Sequence, residues 1–313
     1  MKAQNTAVLL MAYGGPETLE DVPAYLQDVR NGKPTPQSLL AEVTERYRLI
    51  GGRSPLREIT ERVACKLSDE LQLPVHVGMR HWHPYIRDVV REMVAKHEVR
   101  RIVGICMAPH YSRMSIGMYR RRLEEAIAAT GEPVELRFVP QWHTAPHYIQ
   151  GLTATVQQAL DRFDEEERAQ VRLLFTAHSL PAAILDHGDP YDRQVRETAL
   201  LVAERLRWPA DHWMVCYQSA PRSPTTPWLG PQLDETIDLL AQAGVRSILV
   251  APIGFLAEHV EILYDIDIAA KRLANQLGVR LERAPMLNDR PELIAALKDL
   301  VQEALSAKEA SQR

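Results

Sequence analysis

The sequence predicts an α/β protein built as two lobes, each with a four-stranded parallel sheet and helices on both faces. Short apolar runs alternate with amphipathic stretches along all 313 residues, an order typical of βαβ units. We predict that eight of the apolar runs are strands, and this number divides naturally into four strands per lobe. The predicted strands are 6–13, 74–80, 101–107, 134–139, 171–177, 212–217, 246–251 and 279–283.

Helical periodicity lies between these runs, for example in residues 18–30 and 231–243, and again at the end of the chain. At roughly 150 residues per domain, the length also favours two domains. We place the first lobe at residues 1–113, with a C-terminal helix at 287–313 packing back on it. The second lobe is placed at residues 114–286.

Composition excludes several classes of protein. The net charge of −4 argues against a nucleic-acid-binding surface spread over the whole molecule. The three cysteines lie far apart, which fits neither a disulfide framework nor a zinc ribbon and favours a reducing compartment. No secretory signal is visible, and no stretch approaches the ~20 apolar residues that a membrane span needs. We therefore expect a cytoplasmic protein with no membrane span and no nucleic-acid partner.

Ligands of parallel α/β sheets bind beyond the carboxyl ends of the strands, so polar residues just after strands are the first candidates for a site. Four segments meet that condition: 13–16, 109–112, 178–181 and 254–267. The glycine pair in the first segment has neither the Gly-x-Gly-x-x-Gly spacing nor the Lys-Ser/Thr ending of a phosphate-binding loop. Nucleotide binding is therefore not expected.

His178 ends a predicted strand, where it is either a satisfied buried side chain or a functional one. Downstream, a helical segment would place Glu258, Glu261 and Asp265 at i, i+3 and i+7, with their carboxylates on one face. That face is either a solvated acidic surface or a ridge that attracts a divalent cation and relays protons.

Most of the 37 basic residues are arginine, which grips planar carboxylates through two parallel hydrogen bonds. Tyrosines are interleaved with the arginines, as would suit a flat, aromatic ligand that carries several carboxylates. The residues concerned are Arg30, Arg46, Tyr47, Arg53, Tyr111, Arg113, Tyr119 and Arg120 to Arg122. RNA would suit the same mixture, but the overall acidity disfavours it.

Six sequence blocks together resemble the ferrochelatase family, and they occur in the order found in that family. The blocks are Met11–Pro16, Ile50–Leu56, Ala108–Ser112, Thr176–Pro181, Trp228–Pro231 and Gly254–Asp265. The resemblance implies two Rossmann-like lobes of the class II chelatase type, with a porphyrin in the cleft between them. It also implies that His178 and Glu261 face the macrocycle as the catalytic and metal-handling residues.

Within the family, Tyr13 resembles the tyrosine typical of coproporphyrin III ferrochelatases, where it lies on the opposite face of the ring from the histidine and can ligate iron. Five further residues match positions that contact coproporphyrin in that branch: Arg30, Arg46, Tyr47, Ser54 and Tyr119. The resemblance thus implies insertion of Fe²⁺ into coproporphyrin III to give coprohaem for haem biosynthesis, with transient handover of the product to a coprohaem decarboxylase.

Three alternatives stay open at this point. The substrate could be protoporphyrin IX, or the chain could be a class II chelatase for another metal and tetrapyrrole. It could also be a non-catalytic haem carrier, against which the acidic residues argue. No permanently bound cofactor is expected, since Fe²⁺ is a substrate. Some ferrochelatases hold an iron–sulfur cluster on cysteines near the carboxyl end, but no cysteine follows Cys216 here. In some relatives the acidic ridge continues one turn past Asp265, where this chain has Ala269, which puts a separate outer metal site in doubt but not the inner one.

Overall fold

The structure, a computed structural model, describes residues 5–221 and 226–307. Its contacts divide the chain into two units, Met1–Trp142 with Asn288–Arg313, and His143–Leu287. Each unit contains one four-stranded parallel sheet with helices packed against it. All eight predicted strands are present, and the predicted α/β class is confirmed.

The first unit has the strand order β2-β1-β3-β4, and all of its strands run parallel. Its strands are β1 (Thr6–Ala12), β2 (Val75–Met79), β3 (Arg101–Cys106) and β4 (Glu135–Val139). The strand β1 is buried along its whole length, because β2 and β3 flank it and helices cover both faces. A continuous apolar run of this kind is typical of an inner strand of a parallel sheet.

Helices cover both faces of this first sheet. The helices of the unit are α1 (Val22–Val29), α2 (Gln37–Leu49), α3 (Leu56–Leu71), α4 (Ile86–Lys96), α5 (Ile116–Ala128) and α12 (Pro291–Ser306). Helices α4 and α5 share one core cluster with Leu9 and Met11 of β1. Helix α3 packs against β1 and β2, and α12 packs against β3, β4 and α3.

The second unit repeats the same topology, with the order β6-β5-β7-β8 and all strands parallel. Its strands are β5 (Arg172–His178), β6 (Trp213–Gln218), β7 (Ser247–Pro252) and β8 (Arg280–Arg283). Its helices are α6 (Pro146–Leu160), α7 (Glu165–Arg168), α8 (Tyr191–Leu206), α9 (Leu233–Gln242), α10 (Val260–Leu263) and α11 (Lys271–Gln276). A π-helix, Asp265–Ala270, joins α10 to α11.

The predicted boundary after residue 113 was wrong, because the first unit continues to Trp142. The strand β4 pairs with β3, and α5 packs against α4, so both elements belong to the first sheet. The predicted return of the C-terminal helix to the first unit agrees with the contacts of α12. The predicted helix 18–30 is divided into a 3₁₀ turn, Leu19–Asp21, and helix α1.

Within the described residues, every helix is too short or too polar to cross a membrane.

Candidate active site

His178 lies at the carboxyl end of β5, as the sequence predicted. Its Nδ1 is hydrogen-bonded to the carbonyl oxygen of Ser179. The hydroxyl of Tyr191 donates to the backbone carbonyl oxygen of His178 at 2.9 Å. A carbonyl oxygen only accepts hydrogen bonds, so Nδ1 carries the hydrogen of the neutral ring. The lone pair of the imidazole is then left on Nε2.

Glu261 supplies the second functional group of this unit. Its Oε2 lies 3.6 Å from Nε2 of His178, and each of the two side chains is about one-third exposed. This separation is longer than a hydrogen bond. The Oε2 atom is itself buried, and no residue in the described ranges forms a hydrogen bond with it. The structure therefore brings the predicted pair together, with a nitrogen lone pair facing a carboxylate oxygen that has no other partner.

A tight turn carries the chain from β7 toward Glu261. The N–H of Gly254 donates to the carbonyl oxygen of Thr176 at 3.0 Å, so the turn is hydrogen-bonded to β5. A Cβ atom added at Gly254 would lie 2.6 Å from Cβ and 2.7 Å from Cα of Ala177. Only glycine allows this close approach, which fixes the start of the segment that carries Glu261 beside the end of β5.

The predicted ridge of three carboxylates on one helical face was wrong. Helix α10 begins only at Val260, so Glu258 precedes it and pairs instead with Arg283 at 3.2 Å. Asp265 opens the π-helix, whose wider turns change the helical spacing, and accepts a hydrogen bond from Ser219 Oγ at 2.5 Å. The three acidic side chains therefore have three separate environments.

Arg283 forms ion pairs with two other carboxylates of this segment, Glu258 and Asp267. Besides Glu258, it pairs with Asp267 at 2.8 Å, and its side chain is almost fully buried. Burial raises the pKa of Glu258, and the positive charge of Arg283 opposes that rise. This cluster is internally paired, so it is a structural element of the segment that follows β7.

In the first unit, Tyr13 follows β1 directly. It is one of a few large hydrophobic residues of the described chain that are exposed, with 40% of its surface accessible. Its ring lies 4.7 Å from the ring of His81, centroid to centroid. The Nδ1 atom of His81 is 2.8 Å from Oδ1 of Asp28. Burial lowers the pKa of His81, although Asp28 acts in the opposite direction. Tyr13 thus packs on a buried histidine that is paired with a partly exposed aspartate.

The glycine turn after Tyr13 is packed against Ser54 and Tyr47. A Cβ atom on Gly15 would lie 2.6 Å from Cβ of Ser54 and 3.6 Å from the hydroxyl oxygen of Tyr47. The N–H of Ser54 also donates to the carbonyl oxygen of Pro16 at 2.8 Å. Ser54 and Tyr47 are both buried. The structure therefore brings two of the predicted substrate-binding residues close to the Tyr13 loop.

Tyr119 is also buried, below the guanidinium of Arg80, which lies 5.5 Å from the centre of its ring. Burial raises the pKa of Tyr119 well above its ordinary value, and the neighbouring thiol of Cys106 adds to the rise. The Tyr13 phenol makes a smaller contribution to the same rise in pKa. Tyr119 is therefore a neutral hydrogen-bonding group at any physiological pH.

The predicted arginines make local contacts. Arg30 donates to the carbonyl oxygen of Pro34 at 3.3 Å, and Arg46 pairs with Glu42 at 2.6 Å. Two arginines of α5 form ion pairs at 2.8 Å one helical turn along: Arg120 with Glu124 and Arg121 with Glu125. These two pairs are exposed, so this part of the predicted basic cluster is an ordinary solvated helix surface.

Sequence reasoning missed Arg80, which directly follows β2. Its Nε is buried, and none of the described residues accepts a hydrogen bond from it. It also missed Gln218, the last residue of β6, which is buried beside His178. The rule that polar residues after parallel strands form the site would have identified Gln218, which follows the predicted strand 212–217, whereas Arg80 fell inside the predicted strand 74–80.

The His178–Glu261 pair offers two donor atoms to a metal ion. Over residues 5–221 and 226–307, no group of three or more His, Cys, Asp or Glu side chains is arranged to hold one. Structural zinc sites take four protein ligands and catalytic ones three, so the pair supplies two of the donors that a metal ion would use.

Comparison with known proteins gives a consistent result. A family model described as ferrochelatase matches residues 5–305. A ferrochelatase of Deinococcus radiodurans is 42% identical over 300 residues, covering 94% of each chain. A coproporphyrin III ferrochelatase of Geobacillus thermodenitrificans is 38% identical, covering 98% of each chain. The solved structure of SirB from Bacillus subtilis with Fe³⁺ covers 96% of both chains with a TM-score of 0.60 and 12% identity, a likeness of fold alone.

Proposed function

Since this chain belongs to the ferrochelatase family, we propose that it inserts Fe²⁺ into coproporphyrin III, with His178 and Glu261 as the catalytic and metal-handling residues. The observation that carries the proposal is the 3.6 Å separation of His178 Nε2 and Glu261 Oε2 at the carboxyl ends of the second sheet. Fe²⁺ and a porphyrin are the substrates of the family. The identity of the ring and the roles of these residues are our proposal.

Metal insertion must remove two pyrrole protons and replace them with a divalent cation. The lone pair on Nε2 of His178 suits a proton acceptor, because Nδ1 is already committed to Ser179. The Oε2 atom of Glu261, 3.6 Å from Nε2, is an acceptor to which that proton can pass. General-base steps of this kind contribute ~10²- to 10⁴-fold to a rate.

The same two atoms also suit a first-row metal ion on its way to the ring. The two donor atoms are 3.6 Å apart. If each were about 2.1 Å from a cation, the angle between the two bonds at the cation would be about 120°. Imidazole is a borderline ligand that suits iron, and a carboxylate oxygen adds negative charge. Proton acceptance and metal delivery therefore draw on one pair of side chains.

We propose that the porphyrin contacts the first unit through Tyr13, Arg30, Arg46, Tyr47, Ser54 and Tyr119. Coproporphyrin III carries four propionates, and each charge-assisted hydrogen bond is worth ~1.5–3 kcal/mol. We add Arg80 to this set. Its guanidinium is half-buried, and none of the described residues accepts a hydrogen bond from its buried Nε. The buried Tyr47 and Tyr119 would shape the surface beneath the ligand.

The choice of coproporphyrin III over protoporphyrin IX is supported by Tyr13 and by the relatives that carry the coproporphyrin name. Other relatives of similar identity are named ferrochelatase without a stated ring. The test is anaerobic turnover of Fe²⁺ with each porphyrin. We expect kcat/KM to favour coproporphyrin by at least about tenfold, since two more propionates are bound.

The outcomes of this assay separate the candidates. A preference for protoporphyrin IX would overturn the choice of ring and leave iron insertion standing. Binding of both rings without turnover would instead identify a haem carrier. A double variant, Arg30→Ala with Arg46→Ala, should weaken coproporphyrin binding, and unchanged affinity would remove these two arginines from the proposed site.

If coproporphyrin III is the substrate, the product is an iron complex that still carries four propionates. An enzyme that decarboxylates two of them would then consume it, and we propose a transient handover to such a coprohaem decarboxylase. Iron enters as a substrate, so we propose no resident cofactor. The cytoplasm is the expected compartment.

A further inference from the structure

One buried side chain connects the strand that carries His178 to the helix that carries Glu261. Gln218 is the last residue of β6 and the register partner of His178 on β5. Its Oε1 accepts a hydrogen bond from Thr176 Oγ1 at 2.8 Å, and its Nε2 donates to the carbonyl oxygen of Glu261 at 2.8 Å. Its backbone carbonyl accepts from the N–H of Ser179 at 2.8 Å.

The orientation of this amide follows from its partners. The carbonyl oxygen of Glu261 can only accept a hydrogen bond, so the NH₂ group of Gln218 must face it. The amide oxygen then faces Thr176, whose hydroxyl is able to donate. Gln218 is 3% exposed and Thr176 is fully buried, so water cannot substitute for either bond. Breaking one of them would leave a buried polar group without a partner.

Glu261 needs such support because it lies in the first turn of its helical segment. Helix α10 begins at Val260, and the backbone N–H groups of a first turn have no partner within the helix. The N–H of Glu261 donates to Nδ1 of His259 at 3.2 Å, and its C=O accepts from Gln218. The peptide groups on both sides of its Cα are therefore held by side chains.

We infer that Gln218 is a positioning residue for metal insertion, acting through the backbone of Glu261 to set the distance between its carboxylate and His178. This inference rests on the proposed function of that pair. The side-chain amide of Gln218 is engaged by Thr176 and by the backbone of Glu261, so it acts through that backbone. Its contribution is geometric, because misplacing a reacting group by about 1 Å can cost ~10²-fold in rate.

The test uses Gln218→Met, which keeps the length of the side chain and removes both hydrogen bonds. We expect kcat to fall about 10- to 100-fold with KM for the porphyrin within about twofold of the wild type. Thr176→Val, which removes only the hydroxyl, should lower kcat by about two- to tenfold. Thr155→Val is the matched control and should stay within about twofold. That buried hydroxyl donates to the carbonyl oxygen of Leu152 in its own helix, and no other partner is seen for it in residues 5–221 and 226–307.

A double-mutant cycle distinguishes positioning from a general loss of packing. In a Glu261→Gln background the carboxylate is already gone, so adding Gln218→Met should lower kcat no further. If the two losses multiply, Gln218 supports the fold without acting through Glu261, and the inference is overturned. Should Gln218→Met fail to fold, the same cycle is run with Thr176→Val.

A readout without turnover keeps this inference separate from the proposed function. Amide deuterium exchange in peptides spanning residues 256–264 should accelerate in Gln218→Met and stay unchanged in Thr155→Val. If the wild type inserts no iron, the proposed function fails, while this exchange still reports whether Gln218 holds the segment. Unchanged exchange in Gln218→Met would overturn the inference even in an active enzyme.

Discussion

The two units share one sheet topology but carry different chemistry at equivalent positions. In each sheet the first strand along the chain is the second in spatial order, β1 in one and β5 in the other. After β1 stands an exposed phenol, Tyr13, next to a glycine turn. At the end of β5 stands His178, with its lone pair toward Glu261. The shared scaffold fixes where a site forms, and the residues at the strand ends decide what it does.

The two regions are also held in different ways. Around His178 and Glu261, buried polar side chains such as Gln218 form hydrogen bonds to backbone groups. These directional bonds fix the position of the segment that carries the functional carboxylate. Around Tyr13, backbone hydrogen bonds hold the loop, such as that from the N–H of His81 to the carbonyl oxygen of Tyr13 at 2.9 Å. The side-chain contacts there include ring on ring, with His81, and glycine against side chain, at Gly15. Polar fixing suits chemistry at a few atoms, whereas aromatic packing suits a broad surface for a flat ligand.

The comparison predicts its largest effect at the His178 position. His178→Ala should lower kcat for iron insertion by ~10²- to 10⁴-fold, because the proton acceptor is lost. Tyr13→Phe, at the equivalent strand end of the first unit, should lower kcat less and act more on KM. Both constants are measured by anaerobic turnover, with Glu204→Gln, an exposed change on α8, as the control. Equal losses of kcat at the two positions would break the proposed division of labour.

The next effect concerns ligand binding by the first unit. Arg80→Met keeps much of the packing on Tyr119 and removes the guanidinium, so KM for coproporphyrin should rise about 10- to 100-fold through the loss of one charge-assisted contact. Arg121→Met is the matched control, because among the described residues that arginine is seen to pair with Glu125 alone, on the surface of α5. A fall in kcat without a rise in KM would instead assign Arg80 to the chemical step.

A third prediction compares the two glycines that permit close approach. Gly254→Ala should destabilise the protein by about 1–3 kcal/mol, because the new Cβ meets the backbone of Ala177. A Cβ on Gly15 would lie 2.6 Å from Cβ of Ser54, which can move only with its backbone. Ser54 stands in the loop between α2 and α3, which can shift more easily than a buried strand, so for Gly15→Ala we expect a smaller loss of stability and a higher KM for the porphyrin. Urea unfolding and turnover measure the two effects.

Gly117→Ala is the control for that pair. Its helix has room for a methyl group, with the nearest atom 3.5 Å from the added Cβ, so stability should be equal or higher. If Gly15→Ala proved as destabilising as Gly254→Ala, the first-unit turn would be as rigid as the second, contrary to the comparison above.

The strands were predictable from sequence because β1, β5 and β7 are buried on both faces and therefore read as uninterrupted apolar runs. The boundary between the units was not, since nothing local marks β4 as the partner of β3 rather than the start of a new sheet. Pairing is a long-range property, visible only once the register of β4 against β3 is known.

The candidate site was predictable at His178, because a polar residue ending an apolar strand stands out. The acidic segment was harder, since a regular helix was assumed where His259 caps a four-residue helix and a π-helix follows. Gln218 was overlooked for a different reason. A single glutamine at a strand end carries no charge or motif of its own, and its role depends on which carbonyl its amide meets.

The smallest predicted effect is a difference between the sheets in acid. The strand β2 carries His76, which is half-buried, whereas the described strands of the second sheet carry only His178. Burial lowers the pKa of His76 below its ordinary value of 6.5, and the nearby His97 lowers it further. The unfolded chain therefore takes up a proton that the folded chain resists, so His76 costs stability as the pH falls below 6.5.

We expect His76→Gln to reduce the loss of unfolding free energy between pH 7.5 and 5.5 by less than about 1 kcal/mol, since solvent screens a half-exposed group. Urea unfolding at both pH values measures it, and an identical loss in the variant would show that the first sheet owes no acid sensitivity to this histidine.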